Sequence, residues 1–130
     1  MKKIILAYNF TPDRLSGVKR SAVSVKASVK VVGKEEYGQK LGFLAGVQGY
    51  TAHDALTEGS FDDEMLLMCG FENGDIDTFI KALRKHGVGK VGLKAILTQT
   101  NVEWNSTELY EAIMEDHREI QRRALQHGQQ

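Results

Sequence analysis

The hydrophobic positions fall into alternating short runs and spaced stripes. Residues 3–8 (Lys-Ile-Ile-Leu-Ala-Tyr) are almost continuously apolar, the pattern of a strand covered on both faces. Thr11, Pro12 and Asp13 then suit a helix N-terminus, and Leu15, Val18, Ala22 and Val25 recur at helical spacing, predicting a helix over 12–26. Residues 28–32 form a short β-branched run stopped by Gly33. Tyr37, Leu41 and Leu44 give a weaker helical stripe, with Gly38, Gly42 and Gly46 along one side of it. Residues 64–70 read as a third strand, and Ile76, Phe79, Ile80 and Leu83 as a helix stripe closed by His86-Gly87. The fourth strand is expected at 93–97. The last helix starts at Asn105, where Glu108 completes a capping box. Residues 125–130 are expected to fray.

Residues 47–64 have no clear period. A short helical piece is expected over 52–56 within an acidic connection, and so long a connection suggests a functional or mobile segment.

One feature recurs. Phe10, Phe71 and Trp104 each stand five residues ahead of Leu15, Ile76 and Leu109, the separation of a hydrophobic staple at a helix start. The expectation is a three-layer α/β domain with four mainly parallel strands in β-α-β-α-β-α-β-α order and strand order 2-1-3-4. A ferredoxin-like α+β layout is the alternative. Residues 1–117 would form the domain and 118–130 a helical extension and tail. In a parallel sheet all strand ends meet at one edge, where α/β sites usually lie.

Composition narrows this picture. A chain of 130 residues with one cysteine can build a core without disulfides and fits a reducing cytoplasm. No run approaches the ~18 apolar residues of a membrane span. Net charge is zero, yet residues 1–40 carry nine Lys/Arg against three Asp/Glu, whereas residues 41–80 carry eight Asp/Glu and no Lys/Arg. Either these blocks neutralise one another in the fold or the first makes a basic face. No aromatic residues interleave with the cations, which disfavours nucleic acid.

The pieces Leu41-Gly42-Phe43-Leu44-Ala45-Gly46, Met68-Cys69-Gly70-Phe71 and Lys94-Ala95-Ile96-Leu97-Thr98-Gln99-Thr100-Asn101-Val102-Glu103-Trp104 resemble a family of small bacterial proteins, domain-of-unknown-function family 3783. The resemblance covers about residues 3–117 and rests mainly on the last piece. It implies a small cytosolic bacterial α/β domain and brings no activity, cofactor or catalytic residue.

Candidate chemistry concentrates at the expected strand ends. Asn9, Gly70, Thr98, Thr100 and Asn101 would converge there, with free helix N–H groups nearby, to hold a small anionic ligand. Tyr50 or His53 would reach in from the covering connection. The competing reading has Thr98, Thr100 and Asn101 bonding their own turn. Cys69, ahead of a helix, is a candidate nucleophile for a thiol-dependent enzyme, against an inert core thiol. No histidine pair has metal spacing, and neither a metal nor a cofactor is expected. The glycine stripe and the cations Arg118, Arg122 and Arg123 suggest a homo-oligomer.

Overall fold

The computed structural model describes residues 1–54 and 59–128. Four strands, β1 (Ile4–Tyr8), β2 (Ser28–Val31), β3 (Met65–Cys69) and β4 (Leu93–Ile96), form one sheet in the order β2-β1-β3-β4. The helices are α1 (Pro12–Val23), α2 (Leu41–Leu44), α3 (Asp75–Lys85) and α4 (Ser106–Gly128), with 3-10 turns at Lys34–Glu36 and Asn101–Glu103. The strand order and mixed α/β architecture are those expected from the alternation.

The directions are less uniform. β1 pairs parallel with β2, and β3 with β4, but the central pair β1–β3 is antiparallel. The reason lies in the connection from β2 to β3, which starts and finishes at the same sheet edge. Val32 N–H bonds Ala7 O at the end of β1. At the other end of the connection, the Asn9 amide donates to Phe61 O and Asp63 O. β3 therefore starts beside the end of β1 and runs back.

The sheet thus consists of two βαβ units related by an approximate two-fold rotation normal to it. The central register is symmetric about Leu6–Leu67, with Ile4 opposite Cys69 and Tyr8 opposite Met65. Ser28 pairs with Ile4 in one unit, and Leu93 with Met65 in the other. The correspondence extends to the backbone. Asn9 and Gly70, just after the first strand of each unit, both have left-handed φ, 64° and 76°. Lys26 and Gly87, just after each helix, do too, at 58° and 80°. Lys26 and Ala27 donate to Val23 O and Ala22 O, and Gly87 and Val88 to Arg84 O and Leu83 O, the same helix-ending pattern twice. Helix α1 consequently stops at Val23, short of the expected Lys26. A lysine in left-handed conformation does the work that glycine signals in the second unit.

Two crossovers of the same hand, related by this rotation, place both helices on one face. Val18 and Ala22 of α1 and Phe79 and Leu83 of α3 indeed share a core with Ile5, Ala7, Leu66 and Met68. The opposite face carries Leu6, Tyr8, Met65, Leu67 and Leu93, covered by Tyr37, Leu41, Phe61 and Leu109. Period-two alternation along β1 and β3 supplies both cores, so these central strands are buried almost throughout.

The expected helix around Tyr37–Leu44 reduces to the single turn α2. Leu41 N–H is taken by Trp104 O, Lys40 bridges to Asn105, and Ser106 N–H bonds Tyr37 O. Gly42 is a close-approach point within the chain: a Cβ there would lie 2.8 Å from both Tyr50 Cγ and Val102 Cγ2. Gly38, Gly42 and Gly46 therefore do not form a helical face for a partner. Residues 52–54 have no regular structure; the rest of the helical piece expected over 52–56, and the connection at 55–58, lie outside the described residues. Where fraying is expected, α4 continues to Gly128, and 129–130 lie outside the described residues. The charge blocks neutralise one another in part, through Lys3–Asp75, Arg14–Glu64 and Lys34–Asp62.

Candidate functional site

Because β1 and β3 run oppositely, the five strand-end residues are divided. Asn9 lies at one edge; Gly70, Thr98, Thr100 and Asn101 lie at the other, where Leu97 N–H bonds Met68 O. The single convergent volume expected of a parallel sheet is not formed.

Asn9 organises its own edge. Its amide bonds Phe61 O at 2.9 Å and Asp63 O at 3.0 Å, and its Oδ1 accepts from the Tyr37 hydroxyl at 3.3 Å. Phe61 stacks on Tyr37 and Tyr110, with centroids 4.6 and 4.3 Å apart. Beneath them the Tyr8 hydroxyl and Ser106 Oγ form a 2.7 Å hydrogen bond with both residues fully buried. Burial pushes the Tyr8 phenol well above its ordinary range, so it stays a neutral hydrogen-bonding group.

At the other edge the polar groups serve the turn. Asn101 Oδ1 accepts from Thr98 N–H at 2.7 Å, and its amide donates to Ile96 O at 2.9 Å. Thr98 Oγ1 accepts from the backbone N–H groups of Asn101 and Thr100 at 3.0 and 3.3 Å. These bonds let the chain leave β4 and enter the 3-10 turn with its backbone satisfied. Gly70 permits a close approach, since a Cβ there would come within 2.9 Å of Lys2 O. The capping box at Asn105 and Glu108 is formed at 3.0 and 2.8 Å.

Two clefts meet at Tyr50. One, of about 430 Å³, is bounded by Met1, Val47, Tyr50, Leu97, Thr98 and Val102. The other, of about 570 Å³, is lined by Lys40, Tyr50, Thr51, His53 and Glu103. The Tyr50 hydroxyl donates to Glu103, which Lys40 also contacts at 3.0 Å. The Tyr50 bond first, and Lys40 second, hold the Glu103 carboxyl below its usual range. His53 is anchored by its backbone, which exchanges two hydrogen bonds with the Gln39 side chain. Thr98, one of the expected ligand residues, shares a cleft with an expected covering residue, Tyr50.

Cys69, the last residue of the central strand β3, has zero exposure, and burial pushes its thiol up to about 12. A thiol so protonated in a closed core is a hydrophobic side chain rather than a nucleophile. Among the described residues no His/Cys/Asp/Glu group is placed to hold a metal, and no helix is long and apolar enough to cross a membrane.

One feature escaped the sequence reading. A cleft beside α3 gathers Arg84, Lys90 and Lys94, residues from a helix, a loop and a strand that only the fold brings together.

No curated protein and no solved structure matches the chain. One family model, described as a domain of unknown function (DUF3783), matches residues 64–120, from the start of β3 into α4. The Lys94–Trp104 piece falls inside this stretch, and the Leu41–Gly46 piece outside it. Residues 64–120 of the chain, then, are similar to the domain family of unknown function DUF3783.

Proposed function

We propose that this domain is a non-catalytic self-association module whose contact surface is the outer half of α4. The observation that carries the reading is the course of that helix. Its 23 residues extend about 34 Å. Leu109, Tyr110, Ile113 and Met114 pack on the sheet, but beyond His117 the helix is solvated, with Ile120 and Leu125 62% and 67% exposed.

Charge favours a second copy as the partner. Glu111, Glu115, Asp116 and Glu119 dominate the earlier turns of this segment and Arg118, Arg122 and Arg123 the later ones. In an antiparallel two-fold pair, each acidic stretch faces the other's basic stretch. Within one chain these charges already pair along the helix, Glu115 with Arg118 and Arg122, and Glu119 with Arg122 and Arg123. Intrachain pairing keeps the arm helical, and association adds the apolar burial, worth roughly 1.5–3 kcal/mol for each side chain fully covered. The lone thiol and the family resemblance support a bacterial cytoplasmic setting.

Sedimentation velocity across a concentration series tests this. The full chain should dimerise reversibly, and chains ending at His117 or carrying Ile120→Glu and Leu125→Glu should stay monomeric. A full chain monomeric at every concentration, or a dimer indifferent to both changes, would overturn the proposal.

A second reading rests on the cleft that Tyr50 and Thr98 share: a small ligand held there against Val47, Leu97 and Val102. Its test is a ligand-induced thermal shift that Thr98→Val abolishes.

A further inference from the structure

We propose that the cleft between α3 and β4, lined by Ile80, Leu83, Arg84, Gly89, Lys90 and Lys94, binds a small phosphate-bearing molecule. It is a concavity of about 390 Å³, and no acidic side chain lines it. Arg84, Lys90 and Lys94 are among the eight Lys/Arg side chains that make no ion pair among the described residues, the other nine being paired.

The internal two-fold supplies the control. By register, Lys94 occupies in the second βαβ unit the place of Val29 in the first, and Val29 packs on the apolar core. Arg84 corresponds to Val23, because Gly87 bonds Arg84 O as Lys26 bonds Val23 O. Residues 89–92, which carry Lys90, have no counterpart, since Ala27 is followed directly by the second strand of its unit. The same architecture therefore forms without any of the three cations. Each is an addition of the second unit, and all three line one hollow.

Lys94 is the most constrained of them. It is half-buried, its neighbour on β3 is Leu66, and its ammonium donates to Val91 O. Burial first, and the charge of Lys90 second, lower its pKa. The cleft thus sets two exposed cations beside a half-buried one, an arrangement that a multivalent anion would relieve. Three separate cations suit the spread charge of a phosphate group, and Ile80 and Leu83 offer an apolar wall to the body that carries it. The site is independent of the α4 contact.

The test uses inorganic pyrophosphate as the probe, on the full chain, by calorimetric titration and thermal shift at constant ionic strength. Saturable binding to the wild-type chain is expected, with a rise in melting temperature. The Arg84→Gln and Lys90→Gln variants should each bind about tenfold more weakly, the loss of one charge-assisted contact. Both alter exposed side chains, so folding is not at stake. Lys94→Val, the residue of the other unit, should abolish binding while leaving the circular dichroism spectrum intact. Absence of saturable binding, or binding unchanged in Arg84→Gln/Lys90→Gln, would overturn the assignment. So would a short single-stranded RNA that binds through the same residues more tightly than pyrophosphate, because the site would then be part of a nucleic-acid surface.

Discussion

The Tyr8–Ser106 hydrogen bond joins the central strand to the first residue of α4, and its energy can be isolated. Both residues are fully buried and the oxygens are 2.7 Å apart. Tyr8→Phe leaves the Ser106 hydroxyl in the core without its partner. Ser106→Ala leaves the Tyr8 phenol likewise, wedged against Tyr37 and Phe61 with centroids 5.6 Å away, so that it cannot turn toward water. An abandoned buried hydroxyl costs about 1–3 kcal/mol, whereas removing both partners together is close to neutral in hydrogen-bond energy. Each single variant should therefore lose about 1.5–2 kcal/mol, and the double variant no more than one single rather than the sum. For a chain of this size 1 kcal/mol is roughly 4 °C in melting temperature. Urea unfolding followed by the fluorescence of Trp104, the sole tryptophan, gives the four stabilities of the cycle. Additivity within about 0.3 kcal/mol would refute the coupling and, with it, the account of how α4 is seated. The raised Tyr8 pKa has a further consequence. The unfolded phenol ionises from pH about 10, while the folded one stays protonated, so this contribution is complete below that pH and is lost as pH rises beyond it. Tyr8→Phe should flatten the alkaline limb of the stability curve.

Asn101→Ala removes the two side-chain bonds that shape the turn after β4 and should cost about 2 kcal/mol in urea unfolding; an unchanged midpoint would show that the turn is held by other groups. Cys69 should react with an aromatic disulfide reagent only at the rate of unfolding, and fast labelling of the native chain at neutral pH would contradict its burial. Asp75 is held below the ordinary carboxylate range by the Glu72 N–H first and by Lys3 second. A depressed folded pKa gives stability that is complete above the unfolded value and is lost as pH falls through the folded one. Asp75→Asn should therefore make the loss of stability below pH ~4 shallower, and identical acid limbs would exclude the contribution.

Much of this architecture is written locally. The apolar runs mark the strands, the staple spacings mark the entries to α1 and α3, and Asn105 with Glu108 marks the start of α4. These signals are legible because each depends on neighbours a few residues apart. Strand order 2-1-3-4 followed from alternation and the short, right-handed connections it favours.

Mainly parallel pairing followed as well, but not that the central pair is antiparallel, because that depends on where the 32–64 connection returns. That is decided by the Asn9 amide and the Phe61 stack, contacts between residues some fifty positions apart. Reversal of β3 then separated Asn9 from Gly70, Thr98, Thr100 and Asn101 and took away the single site edge. The left-handed Lys26 carries no glycine to announce it, and the stripe at Tyr37–Leu44 became one turn because Trp104 O claimed Leu41 N–H. The cleft of Arg84, Lys90 and Lys94 has no sequence motif, since its three cations converge only when α3 packs back onto β4. Periodicity determines which residues form strands and helices and which faces they bury. Only the closing of the long connection decides which chain ends meet, because that choice rests on non-local bonds with no local spacing to encode them.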